Sequence, residues 1–157
     1  MSTAPERFAA GQAALVRALV AGGPVPEGFD PDRVRATAAA LARKRAREVA
    51  RAWPVLAADL GEAFTDRFVG FASGRPLPAT GGALADGLGF ARAMARQGRL
   101  SGDARVEALL AAARLSPRPL RLAATFAGRP PRLVVLARVP GLGERGLSLP
   151  LGPARTA

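Results

Sequence analysis

Ala42–Pro54 reads ARKRAREVARAWP. Between Arg43 and Arg51, five basic side chains and one acid fall within nine residues, and Trp53-Pro54 closes the stretch. Proline disfavours the α conformation in its predecessor, so a helix running through this stretch ends at Trp53. Upstream, Asp30-Pro31 offers an N-cap followed by a proline in the first turn, which predicts a helix over 31–53. Along it Val34, Ala38, Leu41, Ala42, Ala46, Val49 and Trp53 make one apolar stripe. Arg33, Arg43, Lys44, Arg47 and Arg51 share the opposite side, with Arg43, Arg47 and Arg51 at i, i+4, i+8. Like charges at that spacing destabilise a helix by roughly a few tenths of a kcal/mol per pair. Arg45 falls towards the apolar flank, where its stem can pack while its head reaches out.

Working outward, Thr3 and Glu6 form a capping box ahead of a first helix that carries Phe8, Gln12, Leu15 and Leu19 and stops at Gly22-Gly23-Pro24. After Pro54 comes a short helical turn and then a helix, with Leu56, Leu60, Phe64, Phe68 and Phe71 as a core stripe ended by Gly74 and Pro76. A fourth helix brings Leu84, Leu88, Ala91 and Met94 inward and closes near Gly98. Ser101 caps a fifth with Val106, Leu109, Leu110 and Ala113 inward, ended by Ser116-Pro117. Past Pro117 the period changes from 3.6 to 2 in RPLRLAATFA, RLVVLARVP and LSLPL, which predicts a small antiparallel meander. The expected fold is therefore α+β and mainly α. About five helices form an N-terminal bundle over 1–116, and a small β appendage with a flexible tail occupies 117–157.

Asp59, Glu62 and Asp66 line the helix after Pro54. An antiparallel turn there would bring Arg51 level with Asp59, Arg47 with Glu62 and Lys44 with Asp66. Both charged sides lie opposite their own apolar stripes, so if the stripes pack together the charges point apart. The basic side is expected to stay exposed.

Composition narrows the function by exclusion. The net charge is +11 and Lys44 is the one lysine among 23 basic residues. Such a surface attracts polyanions and acidic partners, although arginine in place of lysine also follows from the base bias of GC-rich genomes. There is no Cys, His or Tyr, which removes disulfides, thiolate chemistry, Cys/His zinc sites and histidine general bases. The acids do not cluster as a metal site or an acid/base pair would. We expect a protein that is not an enzyme by itself, with no metal and no cofactor. Arg17 interrupts the apolar AALVRALVA run and Glu6 and Arg7 nearly cancel, so no signal peptide is expected. No apolar run approaches the roughly 18 residues of a spanning helix, so the expected location is the cytoplasm and no membrane partner is expected. GLGERG, Gly141–Gly146, spells a dinucleotide fingerprint but lacks a following helix, so a glycine-rich hairpin turn is the better reading.

Lys44–Phe64, KRAREVARAWPVLAADLGEAF, resembles the helix–proline–helix segment of a bacterial family of small partner proteins that carries the label DNA-binding domain. Ala85–Met94 (ADGLGFARAM) and Ala104–Leu109 (ARVEAL) resemble its next two helices, and the likeness spans residues 30–115. GGPVPEGFDP and RLVVLARVPGLG are similar to a short actinobacterial branch. The resemblance implies a non-catalytic partner of TIM-barrel, multinuclear iron-dependent oxidases that modify precursor peptides, of the methanobactin and bufferin kind. It also implies that C-terminal β-structure engages the peptide, which makes Leu133, Val134, Val135, Leu136 and Ala137 the candidate edge for strand addition. The expected function is an adaptor that binds such an enzyme through Arg33, Arg43, Lys44, Arg47 and Arg51, and its precursor peptide through the Leu133–Ala137 edge. The alternative is a transcriptional or non-specific DNA-binding protein that uses the same basic helix.

Overall fold

The computed structural model describes the backbone of residues 4–116, 120–125, 132–139 and 143–150, and side chains over 5–116. Six helices run in order: α1 (Ala4–Ala21), α2 (Pro31–Ala52), α3 (Pro54–Leu60), α4 (Ala63–Ala72), α5 (Gly82–Arg96) and α6 (Gly102–Arg114). The expected cap at Thr3 lies outside the described residues. At α2, the Asp30 carboxylate accepts from the backbone N–H of Asp32 at 2.9 Å and of Arg33 at 3.5 Å, satisfying donors that the first helical turn cannot. At α6, the Ser101 hydroxyl accepts from Ala104 N–H at 3.2 Å.

Trp53 is the joint between α2 and α3. Its backbone N–H donates to Val49 O, closing α2, while its carbonyl accepts from Ala57 N–H, opening α3. Its φ of −132° and ψ of 65° place it outside the helical region, as the following proline requires. Gly61 ends α3 at a φ of 54°, a left-handed value that glycine adopts without Cβ strain, and α4 starts two residues on.

The expected architecture is corrected on one count. From Ala4 to Ser116 the chain forms six helices and no strand, and the described core runs from Ala18 to Ser116, so the described packing is all-helical and not α+β. The extra helix arises because Gly61 turns the expected short turn after Pro54 into a separate seven-residue helix. The chain divides into a first unit, up to Glu48 with Glu62–Ala79, and a second, Val49–Gly61 with Thr80 onward. Of the remaining backbone, Leu120–Thr125 (β1), Arg132–Val139 (β2) and Gly143–Pro150 (β3) are extended and pair antiparallel in the order β1-β2-β3. They belong to the second unit.

In the first unit Ala18, Val34, Ala46, Phe64, Phe68 and Ala72 are buried. Phe64 and Phe68 stack with ring centroids 6.2 Å apart, and Phe71 tilts against Phe68 at 5.9 Å. The aromatic stripe is thus core and not the lining of a ligand pocket. In the second unit Val49, Trp53, Leu56, Phe90, Ala91 and Ala104 are almost wholly inaccessible. No helix of the described residues is long and apolar enough to cross a membrane.

Candidate functional site

Arg33, Arg43, Lys44, Arg47 and Arg51 are all exposed on α2, away from buried Val34, Ala46 and Val49. Two of the five have partners on their own helix or its cap. Arg33 Nε lies 3.7 Å from the Asp30 carboxylate and Lys44 Nζ 3.9 Å from Glu48. Among the described residues no carboxylate comes within ion-pair distance of Arg43, Arg47 or Arg51. None of the register-permitted pairs with Asp59, Glu62 and Asp66 forms. Asp59 instead accepts from the backbone N–H of Ser101 at 2.9 Å. At 1.5 Å rise per residue the three unpaired guanidinium groups recur about every 6 Å along the axis.

The geometry separates the other members of ARKRAREVARAWP from this row. Arg45 is half-buried, and its Nη1 donates to the Arg75 carbonyl at 2.8 Å, past the end of α4. Arg75 itself sits 4.7 Å from the Phe71 ring centroid, a cation–π contact. Trp53 is fully buried, so it has no face on which a nucleobase could stack.

A cleft of about 360 Å³ opens in the first unit among α1, α2 and α4. Leu19, Val20, Val25, Val34, Leu41 and Val69 line it, and Val20 and Leu41 remain exposed at its margin. In the second unit a cavity of about 640 Å³ lies beside Trp53, Pro54, Leu84, Val106, Glu107 and Arg114.

Glu107 is a residue whose role sequence reasoning missed. Its Oε1 accepts from Val55 N–H at 3.1 Å and its Oε2 from Leu56 N–H at 2.7 Å. Proline at the start of α3 removes one N–H, and this carboxylate takes up the next two, where the helix dipole favours negative charge. Asp59 on α3 in turn accepts from Ser101 N–H at the start of α6. Each of the two helices thus supplies a carboxylate to the N-terminal end of the other. Gly87 was also missed: a Cβ there would lie 2.1 Å from Trp53 Nε1, so the indole rests directly on the α5 backbone.

The candidate peptide edge is corrected. Leu133–Ala137 lie in β2, the middle strand, with Leu133 opposite both Ala124 and Leu149 and Ala137 opposite both Leu120 and Arg145. Strand addition needs a free row of backbone donors and acceptors, and β2 is already paired on both sides. Gly143 and Gly146 pair with Val139 and Leu136 in β3, which leaves no helix start to receive a pyrophosphate.

Residues 9–96 match the model of the family described as SCO6045-like, C-terminal domain. This chain belongs to that family. A protein named UPF0276 protein from Streptomyces avermitilis is 48% identical over 96 residues, covering 61% of this chain and 19% of that protein. The chain therefore matches only about a fifth of the length of this curated relative. No solved structure matches. The matched stretch takes in α2 with its basic row, the Trp53-Pro54 joint, α4 and α5 with Gly87.

Proposed function

We propose that the chain is a non-catalytic adaptor domain that binds a larger enzyme. The observation that carries this reading is the length of the relative. A stretch 48% identical to this chain makes up only 19% of the Streptomyces avermitilis protein, and the family itself is described as a C-terminal domain. A domain that recurs within a chain some five times longer is one whose surfaces are shaped by association with more protein. The exposed row of Arg43, Arg47 and Arg51 adds support, because like charges held at helical spacing cost stability unless a partner supplies acids. From the resemblance of Lys44–Phe64, the enzyme is a TIM-barrel, multinuclear iron-dependent oxidase that modifies a precursor peptide, and the adaptor acts beside it in the cytoplasm.

Tagged chain, co-expressed with a TIM-barrel, multinuclear iron-dependent oxidase from the same genome, is expected to retain that enzyme through purification in fixed stoichiometry. No complex at micromolar concentration, with metal-loaded enzyme and precursor peptide both supplied, sinks the adaptor reading.

The second reading, DNA binding through α2, is favoured by the same uncompensated row. If Arg43, Lys44, Arg47 and Arg51 each contact a phosphate, log K falls against log salt with a slope of about −3.6. Exchanging Arg43, Arg47 and Arg51 for Glu then abolishes the binding. Fluorescence anisotropy with a duplex at several salt concentrations decides this, and undetectable binding at low salt removes the DNA reading.

A further inference from the structure

Helix α1 has more apolar surface than the first unit covers. Going round the helix at 100° per residue, Ala18, Leu15, Phe8 and Leu19 follow one another over about 100°, and Val16 and Val20 lie beyond exposed Gln12, out to about 200°, whereas a helix packed on one side needs a little over 100°. Burial falls off across that arc. Ala18 is buried and Leu15 and Leu19 are half-buried, but Phe8 is 69%, Val16 55% and Val20 36% exposed. Phe8, Gln12, Val16 and Val20 recur at i+4 along the exposed edge, and Val20 leads onto Leu41 at the margin of the α1–α2–α4 cleft. The exposed apolar surface is thus Phe8 and, past Gln12, Val16, Val20 and Leu41, and grouped exposed apolar side chains mark an interaction site.

Resting on the adaptor reading, we propose that this face of α1 docks on an apolar surface of a folded protein domain of the kind that makes up the other four-fifths or so of the Streptomyces avermitilis relative. Three observations select that occupant. The family is described as a C-terminal domain, so in proteins that fit the description other protein sequence precedes this domain. A second copy of this chain is opposed by +11 charges on each partner. A lipid surface is opposed by the polar side of α1, where Arg7 and Arg17 share the described helix with Glu6, instead of the lysine- and arginine-rich face that interfacial helices carry. The surface lies away from the basic side of α2 in chemistry, and its docking is apolar, so salt does little to it.

The test is titration calorimetry of the full chain against the metal-loaded iron oxidase named above, at 50 and 500 mM salt. Phe8→Asp with Val16→Asp is expected to weaken the complex at least 30-fold at both salts, since only the part of the binding carried by the α2 row is screened. Because both side chains are exposed, the thermal midpoint of the double variant stays close to that of the parent, which separates lost docking from lost folding. Val16→Leu, which keeps the apolar surface, retains binding. A double variant that binds within 3-fold of the parent overturns this inference and leaves the adaptor reading standing. Absence of any complex with the unaltered chain overturns both. A dimer of the chain alone by light scattering, or co-sedimentation with uncharged phosphatidylcholine vesicles, also overturns the inference.

Discussion

Gly87→Ala will destabilise the protein by about 2–3 kcal/mol, although alanine is the better helix former by about 1 kcal/mol. The added Cβ would lie 2.1 Å from Trp53 Nε1, 2.4 Å from Cδ1 and 2.6 Å from Cε2. No real Cβ contact is that short, so either α5 or the indole must move. Trp53 is fully buried and its backbone holds the joint between α2 and α3, so displacing it disturbs both helix ends. Among the described residues its indole N–H has no acceptor, so none of them holds a displaced ring by a hydrogen bond. Gly11→Ala in α1 provides the opposite sign. There a Cβ meets nothing within 4 Å among the described residues, so helix propensity decides and the protein gains about 0.5–1 kcal/mol. Urea unfolding followed by tryptophan fluorescence reads both variants. If Gly87→Ala were as stable as the parent, the close seat of the indole on α5 would be wrong.

Glu107→Ala will cost about 2–3 kcal/mol, far more than an ordinary half-exposed acid on a helix. Its two oxygens accept from two successive backbone donors at the start of α3, and charge-assisted bonds of this kind contribute about 1.5–3 kcal/mol. Glu107→Gln keeps one good acceptor but loses the charge at the helix N-terminus, so about 1 kcal/mol of loss is expected. Asp59→Ala, which removes the bond from Ser101 N–H, costs about 1 kcal/mol. The effects of Glu107→Ala and Asp59→Ala fall short of additive, because both tie α3 to α6 and loss of one loosens the geometry of the other. Thermal unfolding of the two single variants and the double variant checks this, and an Ala effect at Glu107 below about 0.5 kcal/mol would show the cap to be incidental.

Much of the local structure was legible in the chain. Asp30-Pro31, Trp53-Pro54, Ser101 and Gly74 act within a few residues of themselves, through caps, a missing N–H or a left-handed backbone, so their positions mark helix ends directly. The outward position of Arg43, Arg47 and Arg51 was also legible, since it needs only the helical period and the apolar stripe opposite. The inward side of α6 was not. Val106, Leu109, Leu110 and Ala113 were expected inside, yet all are half-buried, while Ala104 and Ala111 are fully covered. An apolar stripe says where a helix is greasy, whereas small residues seven apart let a neighbouring element come close along a different line.

ARKRAREVARAWP by itself determined a helix, its end, a buried tryptophan and an exposed basic row, because each follows from spacing and from proline. Only the tertiary structure decided which elements belong together. Gly61 is an ordinary helix stop in sequence, but it hands α3 to the unit of α5 and α6 and α4 to the unit of α1. Glu107 finds its donors 51 and 52 residues back along the chain, and Gly87 meets an indole 34 positions before it. The uncovered face of α1 is likewise invisible to periodicity, which shows that a face is apolar and not whether anything lies against it. Contacts between residues distant in sequence have no period, and three-dimensional packing alone assigns them.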